Sequence, residues 1–159
     1  MAENDKLNKV GVTAIDTPKT KLEAAIAQRT QAQNVILVLD TSGSMNEQAD
    51  VPGERRIAAL RGVVANLRLQ NVPFKQLCFN DSFYWSDIIS EPAGGTNLSG
   101  ALEFCKAASP RHIIIVSDGQ PNSREAAFTV AKQLACGIDV YYVGSRNDSA
   151  AIDFMQSLA

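Results

Sequence analysis

Two apolar runs, each ending in a carboxylate, limit what this chain can fold into. Val35-Ile36-Leu37-Val38-Leu39 leads into Asp40, and Ile113-Ile114-Ile115-Val116 leads through Ser117 into Asp118. Both runs are short, rich in branched residues and followed by a polar turn containing glycine, so both read as buried strands. Unbroken apolar runs of this kind suit parallel strands covered on both faces. Helical periods lie between and after them. Ile57, Leu60, Val64 and Leu67 share one face of residues 54–70, and Leu98, Ala101, Leu102 and Cys105 share a face of the next helix. Asn122-x-x-Glu125 resembles a capping box opening a third helix, closed by Cys136-Gly137; residues 138–143 read as a strand and 147–158 as a last helix. Alternating strands and helices predict an α/β fold, a doubly wound, mostly parallel, Rossmann-like sheet flanked by helices. Residues 74–79 supply another strand, and Phe83-Tyr84-Trp85, across a short polar gap, predicts a short antiparallel edge strand.

A chain of 159 residues accommodates one domain with a substantial core. The compact part is expected over residues 34–159. Residues 1–33 are expected to form an arm, irregular to residue 19 and helical over 20–33, with Leu22, Ala25, Ile26 and Arg29 on one stripe. A net charge of -2 offers no global field for nucleic acid. Arg55, Arg56, Arg61 and Arg68 lie off the apolar face of their helix and read as solvated surface. The charged start of the chain lacks an apolar leader core, and no apolar run reaches the ~18–20 residues that span a bilayer, so no membrane role is expected. Cys78, Cys105 and Cys136 are an odd number at unrelated spacings, which reads as reduced thiols in a cytoplasmic protein.

The strand ends carry the chemistry. Asp40, Ser42 and Ser44 alternate in the turn after the first run, Thr96 follows Gly94-Gly95, and Asp118 closes the second run. Carboxyl ends of strands form the usual binding edge of an open α/β sheet. A donor set made only of oxygens suits a hard cation such as Mg²⁺. Each segment alone is also ordinary turn composition, since Asp, Ser and Gly all favour turns. Together, in this order, Asp-x-Ser-x-Ser, Gly-Gly-Thr and Ser-Asp-Gly resemble a von Willebrand factor type A domain, from about Asn34 to the end of the chain. That resemblance implies a complete metal-ion-dependent adhesion site with Asp40, Ser42, Ser44, Thr96 and Asp118 as metal residues. It implies Mg²⁺, or Mn²⁺ or Ca²⁺ in its place, with Ser42 and Ser44 binding directly and the aspartates acting partly through water. It further implies a protein-interaction module that captures an exposed Asp or Glu of a partner. Similar small bacterial domains work with ring-forming ATPases, which makes such a complex the expected partner.

Two other functions compete with this one. A metal-dependent phosphoesterase would use a metal-bound water or an aspartyl nucleophile. Phosphatases of the latter kind carry a second acid two residues on, where this chain has Ser42. The single histidine, His112, starts its strand, away from the binding edge. An RNA-binding module lacks a basic surface. The expectation is therefore a protein without enzymatic activity. Asp40 and Asp118 are expected at the rim, where alanine in their place would leave the domain folded.

Overall fold

The computed structural model describes residues 13–14, 34–50 and 52–159. Its strands are β1 (Thr13–Ala14), β2 (Val35–Asp40), β3 (Lys75–Phe79), β4 (Phe83–Trp85), β5 (His112–Ser117) and β6 (Gly137–Tyr142). The described α-helices are α1 (Arg56–Leu69), α2 (Leu98–Ala107), α3 (Arg124–Gln133) and α4 (Ser149–Leu158). One six-stranded sheet has the order β1-β6-β5-β2-β3-β4. β2, β3, β5 and β6 run parallel, as expected, and β4 is the expected antiparallel edge. The other edge is antiparallel too. β1 pairs with β6, Thr13 beside Tyr142, within a stretch that the sequence reading left as irregular. The helix expected over 20–33 lies outside the described residues.

Alternation along the strands explains the two-layered core. Val35, Leu37 and Leu39 face α1 together with Ile114 and Val116, while Ile36, Val38, Ile113 and Ile115 face α2, α3 and α4. Every residue of β2 and β5 is buried, which is why neither run shows a polar alternation. Around this core the element limits shift slightly. α1 begins at Arg56 rather than Glu54, and α3 ends at Gln133, leaving Gly137 to start β6. The cap of α3 is Ser123, whose side chain accepts from the Ala126 amide, so Asn122 is free for another task.

Topology sets the place of the site. From β2 the chain crosses through α1 to β3 on one side, whereas β5 lies on the other side of β2 and its chain continues through α3 to β6. Between β2 and β5 the connections therefore leave in opposite directions, the arrangement that opens a crevice at the carboxyl ends of an α/β sheet. Leu39 stands beside Val116 in the β2–β5 register, which brings Asp40 level with Ser117 and Asp118 one residue beyond. No described helix is long and apolar enough to cross a membrane.

Candidate metal centre

Asp40 is the centre of a hydrogen-bonded cluster. Its Oδ1 accepts from the Ser42 amide at 2.9 Å and from Ser42 Oγ at 2.5 Å. Its Oδ2 accepts from Ser117 Oγ at 2.7 Å, and Ser117 Oγ in turn accepts from the Gly119 amide at 3.1 Å. Ser44 Oγ lies 3.3 Å from Ser42 Oγ. A short 3₁₀ turn, Gly43–Asn46, makes this convergence, because it folds Ser44 back over the end of β2.

Thr96 reaches the same edge through its backbone. Gly43 donates to Gly94 O at 2.9 Å and Ala93 to Thr41 O at 3.1 Å, joining the glycine loop to the serine turn. The Thr96 amide donates to Asn122 Oδ1 and the Asn122 amide donates to Thr96 O, both at 2.9 Å, joining it to the loop after β5. Gly94 and Gly95 are needed here because the Asp81 carboxylate lies against their backbone. It accepts from the Gly95 amide at 3.0 Å, and a Cβ on Gly94, whose φ is +75°, would come within 2.5 Å of Asp81 Oδ2. Of the five residues singled out in the sequence, Asp40, Ser42 and Ser44 make direct contacts, Asp118 lies beside Asp40 and Thr96 is tied to both flanking loops.

Neither aspartate stands at an open rim. Asp40, Ser42 and Asp118 are each fully buried and Thr96 is 6% exposed. Burial, and then the neighbouring Asp118, push the Asp40 carboxyl up to about 6, although hydrogen bonds from Ser42 and Ser117 pull it back. A folded-state value above the unfolded one means that the native protein binds the extra proton first. The Asp40 contribution to stability is thus most favourable below pH 3.8, declines as pH rises from there, and is at its least favourable above about 6. Unfolding of metal-free protein across this window, compared with Asp40→Asn, is expected to show a gap that widens with pH. A constant gap would show that Asp40 titrates normally.

Asp118 is held differently, by a residue that the sequence reading assigned to solvent. Arg56 is only 6% exposed; its Nη1 donates to Asp118 Oδ2 at 3.2 Å and to Glu47 Oε2 at 2.8 Å. The signal was present in the spacing. Arg56 stands four residues before Leu60 and seven before Val63, on the buried stripe of α1, and only its charge placed it on the polar face. Ser117 stands in the Ser-Asp-Gly motif but receives no role from the sequence, because its hydrogen bond to Asp40 shows only through the β2–β5 register.

The donor set fits a hard divalent cation. Two carboxylates and three hydroxyls on three loops provide oxygens only, with no thiolate or imidazole that would favour a softer metal. Among the described residues no group of three His, Cys, Asp or Glu is placed to hold a metal ion, so a site here relies on hydroxyls to complete its ligands.

Neither a protein-family model nor a curated protein sequence matches the chain. Among solved structures, it is similar to the crystal structure of the manganese-loaded TRAP protein of Plasmodium vivax, with a TM-score of 0.61 and 19% identity. The match takes in 82% of this chain and 63% of that one, so the chain spans less than two thirds of the neighbour. At this identity the likeness concerns architecture, and it gives the chain a von Willebrand factor type A-like α/β fold.

Proposed function

We propose that this domain is a divalent-metal-dependent protein-interaction module, with Asp40, Ser42, Ser44, Thr96 and Asp118 as its metal residues. The observation that carries the reading is the convergence of Asp40, Ser42 and Ser44, with Asp118 alongside, at the switch point between β2 and β5. Two acids forced together in a buried place cost stability unless a cation offsets them, and Asp40 is pushed up by that proximity. Ser42 and Ser44 point hydroxyl oxygens at the same spot, and Asn122 holds the Thr96 segment beside it. Such a donor set suits Mg²⁺, with Mn²⁺ or Ca²⁺ able to replace it; the manganese in the TRAP structure agrees with that class. Two carboxylates no more than neutralise a bound divalent cation and the hydroxyls add no charge, so the cation still accepts an anionic oxygen at an exchangeable position. The matching ligand is an exposed Asp or Glu side chain of another protein, and a ring-forming ATPase assembly is the proposed source of it.

The proposal contains no catalytic step and no nucleic acid. His112 starts β5, about 16 Å down the strand from Ser117, and is buried in a pair with Asp139. It offers nothing to chemistry at the serine turn. Cytoplasmic residence is part of the same proposal and rests on the cysteines, Cys78 and Cys105 being buried free thiols.

Calorimetric titration of metal-free protein with Mg²⁺ and Mn²⁺ tests the first half. Saturable binding by wild type, weakened about tenfold or more in Ser42→Ala, is the expected result, since each hydroxyl is one of few neutral ligands. Capture of acidic peptides in Mg²⁺ that disappears in EDTA tests the second half. Retention that EDTA leaves unchanged would remove the metal bridge from the proposal.

A further inference from the structure

The buried guanidinium of Arg56 occupies the charge that a cation would otherwise meet. Its Nη1 is shared between Asp118, fully buried, and Glu47, whose side chain is 59% exposed. Backbone contacts keep the second acid in reach. The Arg56 amide donates to Glu47 O at 2.8 Å, and Gln48 forms a bridge with Arg55. Arg56 is also the first residue of α1, where the helix field disfavours positive charge. Its buried Nε has no hydrogen-bond partner among the described residues, so the side chain is not saturated by its surroundings. A positive group at the start of a helix, half-satisfied and bonded to one acid of the site, stays there because of its two carboxylates.

From this arrangement we propose that Arg56 competes with the metal for Asp118, and that Glu47 receives the guanidinium when the metal enters. The inference rests on the metal reading above and adds a residue that weakens binding instead of providing a ligand. In the metal-free protein Arg56 neutralises Asp118, so the site does not collapse under its own repulsion. On metal entry the guanidinium moves its hydrogen bond wholly to Glu47 and leaves no charge buried without a partner. Because Glu47 follows directly on the 3₁₀ turn that carries Ser44, this transfer couples the state of Asp118 to the loop that shapes the ligand edge.

Titration of metal-free protein with Mn²⁺ alone, for wild type, Arg56→Met, Glu47→Gln and the double variant, tests the exchange. Removal of a like charge this close to a divalent ion is expected to tighten Mn²⁺ binding about tenfold or more in Arg56→Met. Glu47→Gln is expected to weaken it about threefold, since the guanidinium then has only Asp118. The decisive comparison is the double variant, which should bind like Arg56→Met, because Glu47 acts through Arg56. Equal or weaker binding in Arg56→Met, or a Glu47 effect that persists without Arg56, overturns the exchange while leaving the metal site standing. Absence of Mn²⁺ binding in both wild type and Arg56→Met overturns the metal reading and the exchange together. Should Arg56→Met not fold, Glu47→Gln decides alone, and an unchanged affinity counts against the proposal.

Discussion

Asp40→Asn is expected to unfold at a higher temperature than wild type in metal-free buffer at pH 7, and to bind no measurable Mn²⁺. The reason is the position of the carboxylate. Asp40 is fully buried beside Asp118, and these two facts raise it from 3.8 to about 6. A displacement of that size corresponds to roughly 3 kcal/mol of unfavourable free energy for the ionised form at neutral pH. Asparagine has the same shape, still accepts from the Ser42 amide through its oxygen, and carries no charge. Part of the gain is lost where its amide meets Ser117, so a net stabilisation of about 1–2 kcal/mol is the expected figure. Thermal unfolding with chelator, and calorimetry with Mn²⁺, check the two halves. A less stable Asp40→Asn would show that the carboxylate is held comfortably by Ser42 and Ser117, and the tension at the centre of the site would disappear.

The other aspartate should behave in the opposite way. Asp118→Ala is expected to lose about 3 kcal/mol in denaturant unfolding, as well as the metal, because it leaves Arg56 buried with one partner fewer. Glu47 moderates the loss by keeping its 2.8 Å bond to the guanidinium. The sequence placed both aspartates at the rim, where alanine leaves a folded domain; their full burial adds a cost in stability to that expectation. An Asp118→Ala protein as stable as wild type would mean that the buried ion pair contributes nothing net, as some such pairs do. In sequence the two acids look alike, each closing an apolar strand before a polar turn. Their neighbours give them different signs: Asp40 meets hydroxyls and another acid, and Asp118 meets a guanidinium.

That contrast shows where sequence reading succeeds and where it stops. The strands β2 and β5 were legible because complete burial on both faces demands unbroken Val, Ile and Leu, and nothing else in the chain looks similar. The helices were legible from their stripes, and the three loops from oxygen-bearing residues at strand ends. What depends on a distant partner was not legible. Arg56 is polar by composition and buried by position, and only an acid 62 residues away explains the difference. Asn122 looked like a cap and instead holds Thr96, because Ser123 does the capping. Thr13 and Ala14 carry no strand signal of their own. Two residues offer too short a pattern, and their pairing is dictated by the open side of β6.

The pairing of Thr13–Ala14 with Tyr141 and Tyr142 has a consequence for how the molecule is made. Its two sides are separated by almost the whole polypeptide, so the contact closes only after β6 has been synthesised. Until then the outer side of β6 exposes unpaired amides and carbonyls next to Tyr141 and Tyr142, a template on which another nascent chain can add a strand. Once formed, this strand pair caps the edge of β6 and removes the template for self-association.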